Sequence, residues 1–116
     1  MKHDINSEAD VDFMIRSFYQ IAVSDEDIGV FFKNIDWEAH FPRMIAFGSF
    51  VILDIDGYRE NLLQKRMHLS IKKPHFDIWL KILKDNIDKH FSGEKAELAK
   101  QRAAVMSFTF KSKFPD

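Results

Sequence analysis

Apolar residues recur at three- and four-residue steps along most of this chain, and the alternation expected of strands is hard to find. That periodicity restricts the fold to helices packed apolar face to apolar face. Val11, Met14, Phe18, Ile21 and Ala22 make a first buried stripe, capped by Asn6 or Ser7 and ending near Ser24. Asp25, Glu26 and Asp27 put negative charge at the start of a short second helix holding Ile28, Val30, Phe31 and Phe32, which Gly29 weakens. Asp36 suits the cap of a third helix through Phe41, Met44, Ile45, Phe47, Val51 and Ile52, with Pro42 near enough its start to be tolerated. Asp54 to Gly57 break that helix, and Tyr58 to Lys73 read as irregular, with a helical turn or two around Leu62 to Met67. Pro74 belongs in the first turn of a fourth helix carrying Phe76, Trp79, Leu80, Leu83, Ile87 and Phe91, which Ser92 and Gly93 terminate. A fifth helix runs from Glu94 to about Lys113, with Ala96, Ala99, Ala103, Met106 and Phe110 on one face and several Lys and Arg on another. With no repeat and no linker, the expectation is one all-α domain over residues 1–116.

Composition narrows the function classes. Lys plus Arg number 17 against 18 Asp plus Glu, a formal net charge of -1, so no overall field draws the chain to nucleic acid or to an anionic membrane. The absence of Cys removes disulfides, thiolate metal sites and cysteine nucleophiles, and fits a reducing cytoplasm. Met1 to Asp12 hold four acidic residues and no apolar run, so no signal peptide is expected, and no stretch reaches membrane-spanning length. The 12 Phe, 2 Trp and 2 Tyr are the unusual feature. Flat rings fill cores well, and they also line pockets for flat ligands.

Four polar side chains interrupt the apolar pattern. Tyr19 adjoins the first stripe, so its hydroxyl either reaches water at the core edge or turns inward and needs a partner. His40 opens the third helix, where a surface imidazole is ordinary, and Trp79 lies on the fourth stripe, where a core indole is ordinary. His68 stands between Met67 and Leu69 with Lys65, Arg66, Lys72 and Lys73 nearby; it reads as a solvated loop histidine or as a single metal ligand. His3, His75 and His90 read as terminal or helix-end residues without chemistry. Zinc spacing, a catalytic Ser–His–Asp set, a P-loop and a dinucleotide glycine motif are all missing.

Several segments together resemble the truncated, or 2-on-2, haemoglobins of bacteria, in particular their third group. They are Phe18-Tyr19, Asp27-Ile28-Gly29-Val30-Phe31-Phe32, the run from Asp36 to Met44, and His75-Phe76-Asp77-Ile78-Trp79-Leu80. Gly93 to Ala96 and Ala99 to Ala103 resemble the group's last helix, so the likeness spans nearly the whole chain. It implies a globin-like 2-on-2 helical sandwich around haem b, with His68 as the ligand of a five-coordinate iron. On the open side it implies Tyr19, His40 and Trp79 as polar groups facing O2, NO or CO. Arg43 matches a position that pairs with a haem propionate, and Phe32, Met44 and Phe47 match apolar walls. The chemistry implied is oxidation of nitric oxide or activation of peroxide rather than oxygen transport, with an external reductase returning the iron to its ferrous state. Lys65, Arg66, Lys72 and Lys73 could steer that reductase or be a plain solvated surface.

Two departures from the group stand out. Gly48 occupies a position where a Trp is usual, leaving space beside the ring for a cavity, a ligand route or Phe50. Only eleven positions separate His68 from Trp79, a shorter connection than many relatives have. A different class of function, a haem-free helical interaction or regulatory domain on a globin scaffold, is equally compatible with the fold.

Overall fold

The computed structural model describes residues 2–55 and 71–116. Within them lie four α-helices, α1 (Glu8–Ala22), α2 (Trp37–Leu53), α3 (Lys73–His90) and α4 (Glu94–Lys111), and a 3-10 helix, Gly29–Phe32. The expected loop turns around Leu62 to Met67, the basic pair Lys65 and Arg66, and His68 fall outside the described residues. α1 packs on α2 and α3 on α4; the pairs then meet through α1 on α3 and α2 on α4. This is the all-α, globin-like arrangement of two helices on two. No helix among the described residues is long and apolar enough to cross a membrane.

Local chemistry explains each boundary. Ser7 caps α1, its hydroxyl accepting from the Asp10 N–H at 3.2 Å, while Asn6 lies just outside and donates its own N–H to the Asp10 carboxylate. α1 stops at Ala22, two residues before the expected end. Asp25 then folds the chain back, Oδ1 accepting from the N–H groups of Asp27 and Ile28, and the second helix is a four-residue 3-10 turn. Glycine is required at 29 because a Cβ there would lie 2.7 Å from the Val23 carbonyl oxygen. Asp36 holds the N-cap position of α2 but its side chain makes no capping bond. At the other end, Asp54 takes a left-handed backbone (φ 59°) and the Ile55 N–H closes on the Ser49 carbonyl at 3.2 Å. Arg102 of α4 donates to the Val51 carbonyl there, a cation placed at the negative end of a helix.

The segment ahead of α1 ties three helix ends together. Ser92 N–H donates to the His3 carbonyl at 3.0 Å, and the Asp4 carboxylate accepts from the N–H groups of Lys95 at 2.9 Å and Ala96 at 2.8 Å. Asp4 thus caps α4 from the opposite end of the sequence. Gly93 (φ 141°) makes room, since a Cβ on it would come within 2.5 Å of Asp4 Cγ. Burial alone would raise the Asp4 carboxyl, but donors from Lys95, Ile5 and Ala96, with the Lys95 charge, outweigh it and hold it below its ordinary value.

The main core gathers Val11, Met14 and Phe18 of α1 with Met44, Ile52, Leu83, Ile87 and the alanines 96, 99 and 103. Ile21, expected on the buried stripe, is 44% exposed. Its place on the helix wheel lies about 65° from the centre of that stripe, just past Met14 at its margin, and Tyr19 is buried on the other flank. Phe50 is likewise 43% exposed and does not fill the space at Gly48. Val11 does: a Cβ on residue 48 would stand 2.8 Å from Val11 Cγ1. The small residue therefore serves the close approach of α1 to α2. Inside the bundle, Asn86 is 1% exposed and donates from Nδ2 to the Met14 carbonyl and the Ser17 hydroxyl.

Candidate functional site

All four α-helices and the 3-10 turn contribute to one cavity of about 700 Å³. Its walls are mostly apolar, and Tyr19, His40, Trp79, Arg43, Phe32, Met44 and Phe47, the described residues of the expected site, all line it. Gly48 lines it as well. His68 lies outside the described residues.

Tyr19 is the centre of the wall. Position 19 is a neighbour of the buried stripe of α1, so the ring enters the core at 6% exposure instead of lying flat on the surface. Rings of Phe18, Phe32, Trp37, His40 and Phe41 surround it edge-on, with centroids 4.9 to 6.0 Å away. Trp37 stacks on Phe41 at 5.0 Å, and the Arg16 guanidinium sits 4.4 Å from the Phe41 centroid. This collar keeps the phenol in one orientation. Its hydroxyl meets His40 Nε2 at 2.8 Å, which supplies the partner that a buried phenol needs.

His40 is half-buried on the first turn of α2, inward-facing where a surface imidazole was the ordinary expectation. Trp79 of α3 is half-buried with its ring 6.3 Å from that of Phe18, so it reaches the cavity beside α1. Among the described residues its indole N–H has no hydrogen-bond partner. Arg43 is also half-buried; its Nε donates to the Ala39 carbonyl at 3.1 Å, and it meets no carboxylate among the described residues. Phe32 and Phe47 are half-buried and Met44 is buried. Of the expected site residues that line the cavity, three carry hydrogen-bonding groups and one a cation, set in a broad aromatic and aliphatic lining.

His75, read from sequence as a helix-end residue without chemistry, also lines the cavity. The signal was present in Lys72-Lys73-Pro74-His75. Pro in the first turn fixes the helix start and places His75 at the third helical position, where a side-chain acceptor reaches back to the N-cap N–H. Nδ1 accepts that N–H, from Lys72, at 2.9 Å, and the ring stands edge-on to Phe31 at 5.0 Å.

No protein-family model matches the chain. In sequence it is 23% identical over 119 aligned positions to a Group 3 truncated hemoglobin of Campylobacter jejuni, a match covering 97% of this chain and 94% of that one. In structure it is similar to the crystal structure of a group III truncated hemoglobin from the same organism, with a TM-score of 0.87 and 22% identity, over 98% of this chain and 95% of the other.

Proposed function

We propose that this chain, which has the truncated-globin fold and resembles a group 3 truncated haemoglobin along nearly its whole length, is a haem protein for diatomic-ligand chemistry. The observation that carries the reading is the 2.8 Å Tyr19–His40 bond, held in an aromatic collar on a 700 Å³ cavity that Trp79 also lines. The residues present suit a porphyrin. The volume falls in the range of small-molecule sites, roughly 300 to 1,000 Å³, and flat apolar side chains supply the walls. A half-buried Arg43 with no carboxylate partner among the described residues suits a propionate, which a guanidinium binds through two parallel bonds.

In this reading residues 1–116 act as one domain holding haem b. Phe32, Met44 and Phe47 are apolar walls, and His68 would hold the haem iron through its imidazole. That ring must bind through an unprotonated nitrogen while its other N–H donates to an acceptor. When bound, the haem supplies an iron with one open position for O2, NO or CO and a route for electrons.

The remaining chemistry belongs to the chain. The Tyr19–His40 bond has two forms set by the imidazole tautomer: the phenol donates to Nε2, or an Nε2–H donates to the phenol oxygen and turns the hydroxyl proton toward a third group. In the second form Tyr19 and Trp79 both offer protons to a partly negative acceptor in the cavity, each such bond contributing about 1.5 to 3 kcal/mol. Donors in that number favour slow ligand release. They suit oxidation of nitric oxide or activation of peroxide better than oxygen delivery. The sequence has no dinucleotide glycine motif, so a separate reductase supplies the electrons.

An absorption spectrum after mixing with haem tests the reading. The expected result is a strong Soret band that shifts under carbon monoxide, with normal axial ligation lost in His68→Ala. Absence of stable haem uptake would sink it and favour the haem-free interaction domain.

A further inference from the structure

We propose that His75 is a second anchor for the haem, its Nε2–H donating to a carboxylate on the porphyrin edge; the proposal rests on the haem reading above. The backbone sets the tautomer. The Lys72 N–H donates to His75 Nδ1 at 2.9 Å, so the Nδ1 lone pair is occupied. A neutral imidazole carries one proton, which must then reside on Nε2. The ring sits in the first turn of α3. His75 therefore presents a donor and no free lone pair. In this form it cannot ligate a metal, and it can bind an anion.

Its position fits that role. Nε2 has no hydrogen-bond partner among the described residues, although the side chain is half-buried and lines the cavity. Trp79 lies four residues further along the same face of α3, about 6 Å at 1.5 Å per residue. The two rings thus line the cavity about one helical turn apart, with His75 at the helix start. Carboxylates keep part of their hydration and so emerge where a cavity opens. Phe31, edge-on at 5.0 Å, holds the imidazole in place. Arg43 of α2 and His75 of α3 belong to different helix pairs and reach the same cavity, so they give one cationic and one neutral donor for two carboxylates.

His75→Asn separates anchoring from capping, because the Asn carbonyl can still accept the Lys72 N–H while its amide N–H groups, one bond from Cγ, do not extend to the position of Nε2. After reconstitution, haem transfer to an excess of a scavenging apoprotein should be roughly tenfold faster from His75→Asn than from the parent chain, with unchanged helix content by circular dichroism. The dimethyl ester of haem supplies the cross-check: the parent should release it much faster than haem, and the variant should discriminate less. Equal release of haem by the two proteins, or equal discrimination against the ester, would overturn the anchoring role while leaving the haem reading intact. Failure of the parent chain to take up haem at all would overturn both.

Discussion

The Tyr19 hydroxyl and His40 Nε2 lie 2.8 Å apart although the residues are 21 positions apart and on different helices. Each residue gives the other a reason to face inward, since a buried phenol without a partner costs about 1 to 3 kcal/mol. Replacing Tyr19 by Phe, or Trp79 by Phe, removes a donor with a modest loss of bulk. Each variant should release oxygen roughly tenfold faster in stopped-flow measurements on the reconstituted protein. His40→Leu should also alter the rate, and Tyr19→Phe/His40→Leu should fall short of the summed effects because the two residues act through one bond. Additive effects would dissolve the pair as a unit.

Gly48 to Ala adds a methyl 2.8 Å from Val11 Cγ1, on a β-branched side chain with little freedom to move away. The gain in helix propensity, about 1 kcal/mol, opposes an overpacking cost of about 1 to 3 kcal/mol. The variant should be no more stable than the parent, and Val11→Ala should destabilise it less than it destabilises the parent. Urea unfolding of the four proteins measures that coupling; independent effects would show that α1 and α2 adjust freely.

Asn86 to Ala removes a buried hydrogen bond to the Met14 carbonyl at 3.2 Å and a partly buried one to the Ser17 hydroxyl at 2.9 Å. A loss of about 1 to 3 kcal/mol is expected in chemical denaturation. Exposed Phe108 provides the contrast: at 76% exposure its replacement by Ser should change stability by less than about 0.5 kcal/mol.

Acid should loosen the N-terminal clamp. The Asp4 carboxyl is held below its ordinary 3.8 by backbone donors that outweigh its burial. The Asp10 carboxyl is lowered chiefly by the His3 ring at 3.0 Å, with a further donor in the Asn6 N–H. A folded-state value below the unfolded one contributes stability above the unfolded value, and that contribution fades as pH falls through the folded value. At neutral pH Asp4→Asn should lose about 1 kcal/mol, and its deficit relative to the parent should narrow as pH falls below 3.8. A deficit independent of pH would place the effect in packing instead of charge.

Helix number and order among the described residues were legible because apolar spacing, Ser7, Pro74 and Gly93 are local signals. The likeness to truncated haemoglobins brought Tyr19, His40 and Trp79 together before their helices could be placed, whereas periodicity alone left each with an ordinary surface or core explanation. Tertiary geometry decided what spacing could not. Ile21 follows the same three- and four-residue rule as Phe18 yet lies outside the arc that α1 buries. Gly48 looked like a vacancy because the branched Val11 that occupies the space is 37 positions away in the sequence. Asp4 gave no sign that it would cap a helix beginning at Glu94.

Asp4 also has a bearing on the order of assembly. Its acceptors wait for Lys95 and Ala96, partners 91 and 92 positions downstream, and His3 waits for Ser92. During synthesis α1 and α2 emerge long before those N–H groups exist, so the bonds that join His3 and Asp4 to Ser92, Lys95 and Ala96 cannot form until α4 leaves the ribosome. Closure of the bundle is then a late step joining opposite ends of the polypeptide, and Asp4→Asn should hasten unfolding more than it slows refolding.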